Sequence, residues 1–279
     1  MMTLNRWWRP PGVVAVLPLQ GIIGGLGPLR RGMAIDGLAG QIERAFGCRH
    51  LRAVALRINS PGGSPVQASL IANRIRTLAD KKSVPVLAFI EDVGASGGYW
   101  IAAAADEIFA DPTSIVGSIG VRSAGFGFVG LLEKLGVERR LYVAGADKGM
   151  LDPFRPEDPR HVDHLAAIQS DLHDSFKSWV RSRRGPRLKA PEAEVFSGAF
   201  WSGRQALGLG LIDGNADLRS VVEGRFGEGV QIISMAPSRR WWRRRLGIDA
   251  NRKAASIDMA IDMAIAAVEE RLLWSRYGL

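Results

Sequence analysis

Twice between residues 54 and 105 an apolar run passes through a tight, glycine-rich turn into a stretch with helical spacing. Residues 54–58 lead through Asn59-Ser60-Pro61-Gly62-Gly63-Ser64 to residues 66–78, and residues 84–90 lead through Gly94-Ala95-Ser96-Gly97-Gly98 to residues 101–105. Strand, turn and helix in that order, repeated, predict a mostly parallel sheet assembled from βαβ units. That architecture brings the loops at the carboxyl ends of neighbouring strands to one edge. The chain is therefore expected to be α/β, with whatever it does done at that edge.

The flanking segments fit the same plan. Residues 13–17 and 22–23 read as short strands, and residues 34–46 as an amphipathic helix with Ile35, Leu38, Ile42 and Ala45 on one side. In residues 66–78 the apolar side holds Leu70, Ile71, Ile75 and Leu78. Residues 107–110 are a further strand. From Pro112 the texture turns glycine-rich; residues 128–135 read as a short helix, 139–143 as a strand and 156–183 as a long helix carrying three of the four histidines. Ser202 reads as a helix N-cap, and that helix stops at Gly208-Leu209-Gly210. Residues 211–214 are expected to be strand and turn. The body is taken as residues 1–236. Residues 237–279 form a separate segment, basic and Trp-containing at first, then an amphipathic helix over 256–274 with Ile257, Ile261, Ile265, Val268 and Leu272 on one face.

Ser96 sits where a strand hands over to a helix, among glycines that allow a sharp turn and close approach. Amides at the helix start point toward its hydroxyl. Two readings stay open on these residues alone: a nucleophile beside N–H donors that suit an oxyanion, or a serine that merely caps a helix. The Gly62-Gly63 turn lands at the same edge, so the amides of Gly63 and Gly97 can form a two-donor oxyanion hole; read alone, Gly62-Gly63 is an ordinary turn.

A serine nucleophile needs a base. No histidine lies between His50 and His161, and His161, His164 and His173 fall on a polar helix face where a solvated role is expected. Lys148 is the alternative, in a Gly/Ala-rich loop where partial burial favours the neutral amine. Ser118, in another glycine-rich turn, can orient that amine. Without further information Lys148 is one lysine among many.

Other classes are bounded by composition. One cysteine, Cys48, excludes a disulfide framework or a thiolate metal cluster within one chain, and no H-E-x-x-H pattern is present. Net charge is +9, but five arginines fall in residues 239–245 and two more are Arg6 and Arg9, so the body is nearly neutral. That distribution argues against a nucleic-acid face on the folded domain. No run reaches about 18 apolar residues, so no transmembrane helix is expected, and residues 12–25 read as strands rather than a secretory signal.

Four segments together resemble a known family. They are Ile58-Asn59-Ser60-Pro61-Gly62-Gly63, Gly94-Ala95-Ser96-Gly97-Gly98-Tyr99-Trp100, Thr113-Ser114-Ile115-Val116-Gly117-Ser118-Ile119-Gly120-Val121 and Phe196-Ser197-Gly198-Ala199-Phe200-Trp201-Ser202-Gly203-Arg204-Gln205-Ala206. In that order they resemble the signal peptide peptidase A family, over residues 13–217. The resemblance implies a Clp-protease/crotonase-like fold and a serine peptidase with a Ser–Lys dyad that cleaves hydrophobic peptides such as remnant signal peptides, without a cofactor or metal. Lys148 follows Ser96 by 52 residues, the spacing of the single-repeat members. By resemblance Ser96 is the nucleophile, Lys148 the general base and Ser118 the residue that positions the lysine; Gly63, Gly97 and Gly62 match oxyanion positions. It also implies a homo-oligomer, in whose short forms the serine and lysine of one site can come from different subunits.

Two features depart from the family. No N-terminal membrane anchor is evident, and residues 238–279 match no part of it. Trp7-Trp8 and Trp241-Trp242, flanked by arginine, suit an anionic lipid surface, or else pack on the body or between subunits. The expectation is a cytoplasmic protein held peripherally on the inner face of the membrane. Rival functions on the same fold are an acyl-CoA enzyme of the crotonase type and a non-catalytic, membrane-associated scaffold. A Clp-type Ser-His-Asp peptidase would need a histidine soon after Ser96, and none is there.

Overall fold

The computed structural model describes residues 11–25, 32–236, 268 and 271–278. The Trp7-Trp8 and Trp241-Trp242 clusters and most of the C-terminal amphipathic helix lie outside the described residues. The first half alternates strand and helix as expected: β1 (Val13–Gln20), α1 (Ile35–Phe46), β2 (Leu51–Ser60), α2 (Pro65–Lys82), β3 (Val86–Ala95), α3 (Gly97–Ala102) and β4 (Glu107–Ala110). Then come β5 (Ile115–Gly117), α4 (Val129–Leu135), α5 (Pro159–Arg184), α6 (Glu192–Val195), β6 (Phe200–Ser202), α7 (Gly203–Leu209), β7 (Gly214–Asn215), α8 (Leu218–Phe226) and β8 (Gln231–Ser234).

One sheet runs in the order β6-β5-β3-β2-β1-β8, with β4 and β7 branching from β3. Every pairing is parallel except β5 with β6. Apolar residues alternate across the sheet. Ala15, Leu17 and Leu19 of β1 enter the main core, while Val14 and Val16 join a second core with Val222 of α8 on the opposite face. Burial on both faces is why these strands read as continuous apolar runs.

Three departures from the sequence reading have plain causes. Pro18 does not break β1, which continues to Gln20. Val16 accepts the last bond on the β8 side, from Met235 N–H; Pro18, two residues on, points the same way and needs no donor because β8 has ended. Strands β2 and β3 also run further than expected, through a bulge that shifts their register between Ile58 and Ser60. There the Asn59 side chain replaces the ladder, donating to Asp92 Oδ2 at 2.6 Å and accepting from Val93 N–H at 3.2 Å. The expected strand at residues 139–143 is absent. Tyr142 and Val143 are exposed and no strand pairs with them among the described residues. Tyr and Val favour strands, but a strand needs an edge to bind.

Smaller differences follow the same logic. Leu70 lies on the exposed side of α2, and the buried side is Ala68, Ile71, Ala72, Ile75 and Ala79. Residues 211–212 are irregular, with β7 only at Gly214–Asn215.

β3 is the hinge of the design. Its first half pairs with β4 from Leu87 to Ile90, and its second half pairs with β5 from Val93 to Ala95. The carboxyl ends of β2, β3 and β5 thus lie side by side. The segment from Val121 to Asp158 is different: nearly all of it is exposed, and α4 buries no residue.

Candidate active site

Ser96 begins where β3 ends. Its backbone sits at φ 52°, ψ −122°, a left-handed conformation that a residue with a side chain adopts only at a cost. The strain is held from both sides. Ser96 N–H donates to Gly117 O at 2.8 Å, and Trp100 N–H donates to Ser96 O at 2.9 Å. The Ser96 side chain makes no capping bond to α3. The turn therefore holds up a half-buried hydroxyl that does nothing for the helix it precedes.

The glycine turn after β2 closes on this serine. Gly62 has φ 105°, and a Cβ there would stand 2.8 Å from Ser96 Cβ and 2.9 Å from Gly97 N. Gly63 has φ 139°, and any side chain would collide with Ile23 O. A Cβ on Gly97 would lie 3.5 Å from Gly63 N, so the amides of Gly63 and Gly97 are near neighbours. Neither amide meets a protein acceptor among the described residues. Gly62 differs from the pair: its N–H donates to Ser60 Oγ at 3.2 Å, and its carbonyl accepts from Ile23 N–H at 2.8 Å. Its part at the site is to let the turn approach.

Ser118 follows β5 directly and is also left-handed, with φ 53°. Ala95 and Gly117 are partners in the β3–β5 ladder, so Ser96 and Ser118 leave adjacent strands at the same level. Ser118 is 4% exposed and donates its N–H to Ala199 O at 2.7 Å. Its Oγ accepts from the Tyr277 hydroxyl at 3.4 Å. Lys148 is exposed, in a turn of the Val121–Asp158 segment, and among the described residues no hydrogen bond joins its amine to Ser96 or Ser118. The chain brings Ser96, Ser118, Gly62, Gly63 and Gly97 to one sheet edge, and Lys148 makes no hydrogen bond there.

Two histidines expected to be solvated are engaged. His173 of α5 bonds Ile119 O at 3.1 Å through Nε2, bracing the Ser118 turn. His161 pairs with Asp147, the neighbour of Lys148, at 3.3 Å. The helical periodicity placed both on a polar face, and nothing in it showed that the glycine-rich loops fold back over α5. Glu91 and Asp92, which precede the Ser96 turn, take bonds from Gln20 Nε2 at 3.1 Å and from Asn59 Nδ2 at 2.6 Å. Tyr277 was likewise missed, because the core pattern of the body gives no hint of it.

The Peptidase family S49 model matches residues 78–225, more than half of the chain and including Ser96, Ser118 and Lys148. The chain belongs to peptidase family S49. The resemblance to signal peptide peptidase A seen in the motifs thus holds, and the Clp-protease/crotonase-like α/β fold that it implied is the parallel architecture described above. A putative signal peptide peptidase SppA of Enterococcus faecium is 32% identical over 173 residues, 62% of this chain and 50% of that protein. A longer Brucella abortus protein named Na(+)/H(+) antiporter NhaA is 46% identical over 272 residues, 95% of this chain but 37% of its own length. The chain thus spans half or less of these relatives. Among the described residues, no helix is long and apolar enough to cross a membrane. A solved membrane-bound stomatin-specific protease aligns over 82% of this S49 chain and all of its own at a TM-score of 0.46 and 16% identity.

Proposed function

We propose that this S49 chain is a serine endopeptidase for hydrophobic peptides, with Ser96 as nucleophile and Lys148 of a neighbouring copy as general base. The observation that carries the reading is the strained, uncapped Ser96 facing the unengaged amides of Gly63 and Gly97. Strain held by surrounding structure at a strand-to-helix turn, with a hydroxyl left free, suits a nucleophile better than a cap.

The neutral lysine amine takes the proton from Ser96 Oγ, and Oγ attacks the scissile carbonyl carbon. Charge on the carbonyl oxygen is met by the Gly63 and Gly97 amides. The ammonium then gives its proton to the leaving amine, and an acyl-serine remains. The amine next deprotonates a water, which attacks the acyl carbon; proton return to Oγ releases the acid and restores the enzyme. Burial of the lysine against Ser118 when two copies meet supplies the desolvation that favours its neutral form. The name of the Enterococcus relative supports remnant signal peptides as the substrate class.

A second copy is invoked because Lys148 is exposed within its own chain while Ser96 and Ser118 lie together without it. The segment that carries the lysine also exposes Phe126, Leu131, Leu135, Val137 and Tyr142. Several large apolar side chains exposed on one segment suit an association site. We place the assembly peripherally at an anionic membrane face through its Trp/Arg clusters, a reading that flotation with anionic vesicles at low and high salt tests.

The peptidase reading is tested by peptide turnover together with covalent labelling by a fluorophosphonate, located by mass spectrometry. Turnover and a label on Ser96, both lost in Ser96→Ala and strongly reduced in Lys148→Ala, are expected. Wild type that neither turns over peptides nor takes the label would overturn it in favour of a non-catalytic scaffold.

A further inference from the structure

The end of the chain folds back onto the site. Residues 271–275 are helical and mostly exposed, yet Tyr277 just beyond them is 8% exposed. Its ring stands edge-on to Phe200 with centroids 5.1 Å apart, and it packs on Val93 and Ala95 of β3, with Ile115 and Trp274 at the rim. Its hydroxyl reaches Ser118 Oγ. The tail thus covers the strip between the carboxyl ends of β3 and β5, one residue short of Ser96 on one side and against Ser118 on the other.

Ser118 is otherwise held from behind. Its own N–H is bound to Ala199 O. Ile119 is fully buried, with His173 on its carbonyl. The ring of Trp201 lies against Gly117, where even a Cβ would come within 2.7 Å of it. The Ser118 hydroxyl, which an incoming amine would have to reach, is the atom that Tyr277 occupies.

We propose that the C-terminal segment is a plug in the seat of the incoming lysine: Tyr277 and Lys148 of a neighbouring copy compete for Ser118. This rests on the dyad reading above, since that reading sends a lysine amine to Ser118. The contact is suited to being given up. Among the described residues, the Tyr277 ring, the edge of Trp274 and one long hydrogen bond hold it, at the end of a segment that is mostly exposed. A free copy is then latent, and a neighbour's lysine loop activates it by displacing the tail, each excluding the other by mass action. The exposed lysine loop and the covered Ser118 seat are the two halves of one exchange.

The test uses the full-length chain and two readouts, one of them independent of peptidase activity. Tyr277→Ala opens the seat, so assembly measured by sedimentation velocity shifts several-fold to lower protein concentration, and Lys148→Ala added to it reverses the shift. Peptide turnover at low protein concentration rises several-fold in Tyr277→Ala, and a synthetic peptide of residues 271–279 added in trans suppresses the rise. Tyr277→Phe, which keeps the ring, gives a smaller change of the same sign. Assembly and turnover in Tyr277→Ala that are unchanged or weakened would overturn the plug, because Tyr277 would then be neutral or a supporting part of the site. If neither wild type nor variant turns over peptides, the peptidase reading fails, and sedimentation alone still decides the competition.

Discussion

At the scale of single residues the site rests on two serines held with positive φ at the ends of adjacent strands. Each such conformation costs on the order of 1–3 kcal/mol, so the surroundings must impose it. For Ser96 the imposition is the bond to Gly117 O and the bond from Trp100 N–H. Gly62→Ala crowds that serine directly. A methyl at position 62 meets Ser96 Cβ and Gly97 N inside normal contact distance, and the backbone there is already left-handed. Ser96 must move, and displacement of about 1 Å at a reacting atom costs roughly 100-fold in rate. Gly62→Ala is therefore expected to lose about 100-fold in kcat, with circular dichroism and hydrodynamic size unchanged. Near-wild-type turnover in that variant would show that the turn does not set the position of Ser96.

At the scale of elements, the joints between helices and sheet are polar. Arg184, 2% exposed at the end of α5, donates from Nε and Nη2 to Gly210 O at 3.1 and 2.7 Å and from Nη1 to Asp213 Oδ2 at 2.7 Å. Asp213 in turn accepts from Ile108 N–H of β4 at 2.7 Å. One guanidinium thus ties α5, the end of α7 and β4. Arg184→Met leaves the Gly210 carbonyl without its donor and the Asp213 carboxylate with only the more distant Arg187, at 3.7 Å, and breaking a buried pair in this way costs about 3 kcal/mol, to be read from chemical denaturation. A second joint is pH-sensitive. Glu107 of β4 takes two bonds from Arg225 of α8, at 2.6 and 2.8 Å, and these hold its carboxyl below the usual range. Because the folded value is depressed, the stabilisation is fully present above the unfolded carboxylate value, about 4, and is lost as pH falls through the folded one. Glu107→Gln should flatten the acid side of the melting-temperature profile; an identical profile in wild type and variant would dismiss the joint as pH-sensitive. Both elements and joints bear on what the sequence disclosed. β4, the Ser202 cap and the Ser96 turn were legible because local chemistry decides them. The bulge at Asn59, the bonds of His161 and His173 and the exposed side of α2 were not, because long-range packing decides them.

At the scale of the whole molecule, the parallel body is buried on both faces, while the Val121–Asp158 arm exposes apolar residues and carries the lysine. The absent strand at residues 139–143 belongs to this picture: the segment pairs with no strand among the described residues of its own chain. On the two-copy reading proposed above, a heterologous contact whose rotation closes would join the arm of one copy to the sheet edge of the next in a ring, and each serine would take its lysine from a neighbour. That arrangement has a consequence that a single-chain site lacks. Ser96→Ala is expected to be inactive alone and Lys148→Ala strongly reduced, yet co-expressed in equal amounts they should regain activity. A site works when a copy with intact Ser96 meets a neighbour with intact Lys148, and random mixing puts that pair at about a quarter of the sites. Turnover near a quarter of wild type in the mixed assembly is the expected result, falling on dilution as the copies separate. A mixed assembly of confirmed composition that stays as inactive as either parent would mean that each serine depends on the lysine of its own chain.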